Sequence, residues 1–287
     1  MDAGTLRRMQ AVTCETWRVE GPQAPQHIGD LAWQCYQHSG RADEWRVRLW
    51  QRNGRDVAWA WLRLPDSELD YCIQPGFREP LAGELLGWFE RVVPGKRLFA
   101  VGHTGDEVMA RILEGRGYRL DESHPPLAFH HRDLDSAPVP EAPEGFRLRT
   151  VETADLEERV GLHRAVWHPS RVTADSYRNV QSGWPYRADL DCVVEAPGGR
   201  LVAYCLAWLD EENRAGELEP VGTHPDFRRL GLASAVSRFA LHRLAGLGAE
   251  RAMVYAVVDP GNLGPKTLYE SIGFHEVSRA LRYVRCR

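Results

Sequence analysis

Lysine is almost absent: Lys96 and Lys266 are the only two in 287 residues, and arginine supplies the rest of the basic charge. Coding bias in a GC-rich genome accounts for that, and no function is read from it. No apolar run approaches the roughly 18 residues that span a bilayer, and the N-terminus lacks the charged-then-apolar pattern of a secretory signal. No membrane partner is therefore expected, and the expected location is the cytoplasm. The cysteines, Cys14, Cys35, Cys72, Cys192, Cys205 and Cys286, include no C-x-x-C pair and no histidine at ligand spacing. Free thiols and no metal site follow. A net charge of -4 argues against a surface that neutralises many phosphates, so no nucleic-acid partner is expected. What is present is 43 % hydrophobic residues, enough for a sizeable core, in a chain longer than one domain of roughly 100–200 residues. Two compact units are expected.

A boundary between them is visible. From Asp133 to Gly145 the chain reads DLDSAPVPEAPEG, with prolines placed so that neither a helix nor a strand ladder continues. The expected units are residues 1–135 and 146–287, joined by a linker at 136–145. The halves repeat: Gln74-Pro75-Gly76-Phe77-Arg78 matches His224-Pro225-Asp226-Phe227-Arg228 at an offset of 150, and Leu113 to Tyr118 matches Tyr269 to Phe274 at an offset of 156.

The second half predicts a strand over Phe146–Val151, helices over Asp155–Val166 and Thr173–Gln181, and strands over Cys192–Glu195, Leu201–Leu209 and Glu217–Thr223. A helix over Leu230–Leu247, a buried strand over Met253–Val258, a short helix over Pro265–Ser271 and two last strands around Glu276–Val277 and Leu281–Arg285 follow. The first half is a weaker copy from Trp45 onward, and residues before about Ile28 match no pattern. The fold class is α/β: a mixed, mostly antiparallel sheet flanked by helices in each half.

Between the predicted strand ending at Thr223 and the long helix lies Arg228-Arg229-Leu230-Gly231-Leu232-Ala233. R-x-x-G-x-A alone is weak. At a helix start, however, free backbone N–H groups and the positive end of the dipole bind phosphate oxygens. Gly231 lets the backbone come close, and Arg228 and Arg229 add charge.

The segment Glu219 to Ala233, with Asn262, Tyr269 and Gly273-Phe274, resembles the GCN5-related N-acetyltransferase (GNAT) superfamily. The likeness covers residues 146 to 285 well and the first half loosely. Two such domains in one chain resemble the arrangement of mycothiol synthases, in which the second domain is active. The resemblance implies a splay between the two central strands, where the strand holding Val221, Gly222 and Thr223 pairs with the pantetheine arm of acetyl-CoA or another short acyl-CoA. It also implies a diphosphate held by Arg228, Arg229, Leu230, Gly231, Leu232, Ala233 and Ser234, and an N–H near Val221 or Gly222 polarising the thioester carbonyl. Pro220 has no N–H for a ladder and Gly222 suits a bulge, so this strand is poorly built for continuous pairing.

An amine acceptor arrives as ammonium, so a base is needed. Glu219 is the first candidate and Glu217, two residues away on the same face, the reserve; solvated strand carboxylates are the competing reading of both. Tyr269 matches the family's general acid, against a plain core or surface tyrosine. Asn262 stands at the expected N-cap of the last helix, where it caps, contacts the donor, or does both. Cys192 and Cys205 sit in apolar strands and read as packing rather than as nucleophiles. His163, His168 and the aromatic-rich stretch Trp167, Tyr177, Trp184 and Tyr186 lie where the family builds acceptor pockets, and helix packing explains the aromatics equally well.

By the offset of 150 Gly231 aligns with Leu81, and by 156 Tyr269 aligns with Leu113. Glu79, Pro80 and Leu81 would repel, starve and crowd a diphosphate, so the first half is expected to be degenerate and to wall the acceptor cleft. The leading reading is an acetyl-CoA-dependent N-acetyltransferase acting on a small-molecule amine in a ternary complex. Its rivals are an acyl-CoA-binding sensor without turnover and an aminoacyl or fatty-acyl transferase on the same scaffold. Oligomeric state is left open.

Overall fold

The computed structural model describes residues 1–134 and 140–287. The chain opens with α1 (Ala3–Glu20), capped by the Asp2 carboxylate on the Thr5 N–H at 2.8 Å, and α2 (Ile28–Tyr36), capped by His27. Then come β1 (Trp45–Arg52), β2 (Arg55–Arg63), β3 (Glu68–Ile73), α3 (Arg78–Val92), β4 (Arg97–His103), α4 (Glu107–Gly115), β5 (Arg119–Leu120) and β6 (Leu127–Asp133). The second half runs β7 (Arg147–Thr150), α5 (Leu156–Val166), α6 (Ala174–Ser182), β8 (Asp191–Glu195), β9 (Leu201–Asp210), β10 (Ala215–Thr223), α7 (Leu232–Gly246), β11 (Arg251–Val257), α8 (Gly264–Ser271) and β12 (His275–Cys286). The expected linker at 136–145 lies outside the described residues as far as 139. No helix among the described residues is long and apolar enough to cross a membrane.

All strands join one sheet in the order β1-β2-β3-β4-β12-β6-β11-β10-β9-β8-β7, with β5 on β12. The halves exchange their last strands. β6 pairs along its whole length with β11 of the second half, and β12 pairs with β4 of the first. β12 was expected as two strands. It is one, interrupted by a register shift between Glu276 and Ser278 that breaks the alternation.

Alternation along the strands sets two helical layers. Ala58, Ala60 and Leu62 of β2 pack under α3, and Trp59 and Trp61 under α1. Likewise Cys205 and Ala207 of β9 face α7, while Leu206 and Trp208 face α2 and α6. The face of α7 carrying Leu232, Val236, Leu241 and Leu244 is buried, each leucine contributing about 2 kcal/mol.

Two neighbouring strands fork. β10 pairs in parallel with β11 only at Ala215, Gly216 and Glu217, although both run further. Beyond Glu217 they diverge. β3 and β4 repeat this in the first half, pairing only at Glu68 and Leu69.

Candidate active site

After β10 a short turn, Pro225–Phe227, leads into Arg228, Arg229, Leu230 and Gly231, all exposed. Arg229 (φ 67°) and Gly231 (φ 76°) are left-handed, a geometry that glycine adopts freely and that costs arginine about 1 kcal/mol. The turn delays the helix: α7 begins at Leu232, two residues later than expected. Gly231 is its N-cap and offers no side chain, and the first helical bond runs from the Ala235 N–H to the Gly231 carbonyl at 3.0 Å. The amides of Leu232, Ala233 and Ser234 therefore have no acceptor within the helix. They point out of its positive end, just after the exposed Arg228 and Arg229 in the chain.

The first half has no such loop. Its turn, Pro75–Phe77, lies at an offset of 150 from Pro225–Phe227, but α3 and α7, both 15 residues long, begin at Arg78 and Leu232, an offset of 154. β4 and β11 keep that larger offset. Four residues, Arg228 to Gly231, are thus inserted in one half, and the expected pairing of Gly231 with Leu81 is corrected. Leu81 matches Ala235 instead, and both are buried on the inner helix face. Glu79 pairs with Arg111 at 2.8 Å, and Arg78 with Glu20 at 2.6 Å. The pairing of Leu113 with Tyr269 holds: the Tyr118 N–H donates to the Leu113 carbonyl and the Phe274 N–H to the Tyr269 carbonyl, each at 3.0 Å.

In the gap between β10 and β11, the bulge falls at Glu219 and Pro220, where the register against β9 shifts between Leu218 and Val221. Gly222, expected to make it, is in register opposite Tyr204. The His224 N–H donates to the Val202 carbonyl at 2.8 Å. Strand alternation then turns the Gly222 amide toward β9 and those of Val221 and Thr223 into the gap. Thr223 Oγ1 is buried there without a partner.

Glu217 is not the solvated strand carboxylate of the competing reading, and Glu219 is partly buried. Glu217 is fully buried against His27, with Oε2 3.1 Å from the ring Nδ1. Glu219 lines a cavity of about 480 Å³, and its main-chain carbonyl accepts from Trp208 Nε1 at 2.6 Å. Burial holds the Glu219 carboxyl well above the usual carboxylate range. Tyr269 is 7 % exposed, and burial pushes its phenol up, with Cys205 and Glu219 adding to the shift. It therefore keeps its proton and can donate it. Burial likewise raises the Cys192 and Cys205 thiols, which fits packing and not nucleophilic attack. Asn262 is exposed and is not the cap. Leu263 is, while Asn262 Oδ1 accepts from the Gly264 N–H at 3.4 Å.

The cavity at Glu219 is walled by both halves. Trp33, Gln37, His38 and Arg41 come from the first; His163, Trp167, Pro169, Ser170 and Arg171 from the second. Burial, with the charges of Arg159 and His38, lowers His163 to about 3, so the ring is neutral, and its Nδ1 lies 2.9 Å from the Tyr204 hydroxyl. Of the expected aromatics only Trp167 reaches this wall. Tyr177 and Tyr186 bond instead to Asp191, a buried partner of Arg159, and Trp184 lies under Arg7 at 3.7 Å elsewhere. The residues missed, His27, Asp30, Trp33, His38 and Arg41, belong to the opening segment. Its one usable signal was a capping side chain, His27, just ahead of Ile28.

Residues 157–274 match the acetyltransferase (GNAT) family. The mycothiol acetyltransferase of Thermobispora bispora is 32 % identical over 226 residues, covering 73 % of this chain and 72 % of its own. That of Streptomyces griseus subsp. griseus is 27 % identical over 294 residues, covering 98 % and 93 %. Among solved structures, a tandem GNAT protein from the clavulanic acid biosynthesis pathway superposes with a TM-score of 0.68 at 15 % identity, over 99 % of this chain and 95 % of that one. A GCN5-related N-acetyltransferase from Sphaerobacter thermophilus gives 0.66 at 17 % identity, over 100 % and 94 %. The fold likeness thus extends over both halves.

Proposed function

The chain belongs to the acetyltransferase (GNAT) family, and from that premise we propose that it transfers the acetyl group of acetyl-CoA to the amine of a small molecule by direct attack in a ternary complex. Residues 146–287 are taken as the unit that carries the chemistry, with 1–135 completing the cleft. One observation supports this above all: a single gap has the bare amides at the start of α7 on one face of the sheet and Glu219, beside a walled cavity, on the other.

In this reading the amides of Leu232, Ala233 and Ser234 bind the donor's diphosphate, with Arg228 and Arg229 beside them. The Val221 and Thr223 amides pair with the pantetheine arm, and that of Val221 polarises the carbonyl. Asn262 flanks the donor from the loop before α8. The thioester supplies the activated acyl group. Glu219 takes a proton from the amine through water, and its raised pKa suits a base working near neutral pH. Glu217 is engaged by His27, which leaves the base to Glu219. Tyr269 hands its proton to the departing thiolate.

The acceptor takes the cavity at Glu219, whose Gln37, His38, Arg41 and Ser170 suit a polar molecule better than the apolar or aromatic one that an aromatic wall would have received. The amine acetylated by the relatives named mycothiol acetyltransferases is the first to test. Thiol release from acetyl-CoA, followed with that amine and a panel of amino sugars and amino acids, should depend on acceptor. Tight donor binding without release on any of them would instead make the protein a sensor.

A further inference from the structure

The carboxylates at the fork are not independent of the first half. His27 caps α2 and is fully buried against β10. Its Nε2 is 3.2 Å from the Ala215 carbonyl, and its Nδ1 is 3.1 Å from both Glu217 Oε2 and the Gly29 N–H. This close approach needs Gly29 to be glycine: a Cβ there would lie 2.2 Å from the Trp208 ring and 2.7 Å from Glu217 Oε2. Glu217 is also the last residue that β10 pairs with β11, so the contact sits at the branch point of the fork.

The partners decide where protons can be. A carbonyl only accepts, so Nε2 carries a hydrogen. The Gly29 N–H donates to Nδ1, so Nδ1 has a lone pair and the Glu217 oxygen facing it carries the proton; a second hydrogen on Nδ1, donated to a charged Glu217, would cost that cap bond. The remaining combination, a lone pair against a buried carboxylate at 3.1 Å, is repulsive. Either of the first two states has one proton between the two groups and no net charge.

We propose that His27 is a positioning residue that holds one proton in common with Glu217, so that Glu217 adds no net charge beside Glu219. The inference rests on the reading of Glu219 as the base. Other titratable groups face this pair from each element packed on it: Asp30 on α2, Asp210 at the end of β9, Glu219 on β10 and Tyr255 on β11. Burial opposes charge on His27, yet the bond and charge of Glu217 carry its pKa above the usual value. Burial, above all, pushes the Asp30 carboxyl up to about 8. A second bare carboxylate among these groups would compete with Glu219 for its proton. The opening helices thereby tune a base that lies in the other half.

The test reads protonation directly in the full chain. Protein labelled with 13C at the glutamate side-chain carboxyl is titrated by NMR, with the Glu219 signal assigned by its loss in Glu219→Gln. Glu217→Gln replaces one neutral arrangement with another and should leave the Glu219 midpoint within about 0.3 pH unit of wild type. His27→Asn keeps a capping side chain but removes the shared proton, and should raise that midpoint by about one unit. Combining the two substitutions should return it. A midpoint that falls by about a unit in Glu217→Gln shows a net negative charge on the His27–Glu217 pair in the wild type and overturns the proposal, as does an unshifted midpoint in a folded His27→Asn protein. Failure of the parent reading shows elsewhere: Glu219→Gln would keep full turnover while these midpoints still moved together.

Discussion

The two halves build the same turn after the same forked strand, and only one goes on to build the loop proposed to bind the donor's diphosphate. In the second half Arg228 to Gly231 hold α7 back from the turn and leave its first amides bare. In the first half the turn runs straight into α3 at Arg78, whose side chain is tied to Glu20 and Asp106. The difference is an insertion or deletion rather than a changed glycine. Presence or absence of the loop thus leaves the surrounding helix, strand and fork intact, because the helix buries the same face against the sheet in both halves.

The comparison can be broken from its stronger side. Deleting Arg228 to Gly231 makes the second half like the first, and should abolish saturable acetyl-CoA binding in calorimetry while far-UV circular dichroism stays native. Glu219→Gln should lower kcat about 100-fold or more with little change in donor affinity, since general-base catalysis contributes 10²–10⁴. In the wild type the same group sets the acid limb of kcat/KM. If Glu219 is the unprotonated base proposed, activity should fall as pH drops through its raised pKa, at a pH well above the usual carboxylate range. A limb near pH 4 would contradict that assignment. Tyr269→Phe should lower kcat about 10-fold or more with unchanged melting temperature, whereas Leu113→Phe at the matching place in the first half should cost stability and leave the chemical step alone. Smallest of all, Arg229→Ala should raise the KM for acetyl-CoA a few-fold in a salt-sensitive way, while Arg78→Ala should leave it unchanged and cost about 1–2 kcal/mol of stability in urea melts.

Much of this was legible in the sequence where local pattern decides structure. β9, β11 and α7 announce themselves by apolar runs or periodicity, and the turn-and-tyrosine repeat is visible as words. α1 was not legible because Gln10, Thr13 and Thr16 are buried on its inner face among Leu6, Met9, Val12 and Trp17, which breaks the apolar stripe. Strand exchange escaped because alternation reports a face and never a neighbour: nothing in Leu127–Asp133 says that its partner is β11. The loop's start was misjudged for a similar reason, since an offset read from one matching word hides an insertion just beyond it. The wall of the cavity at Trp33 and the buried pair of His27 and Glu217 depend on contacts between residues more than a hundred positions apart, which single-sequence patterns do not carry.

The central claim is that one loop, in one half, holds the donor. Calorimetric titration of the intact protein with acetyl-CoA tests it most directly. One mole bound per chain is expected, lost when Arg228 to Gly231 are removed. Two moles per chain, or one mole that survives the deletion, would contradict it.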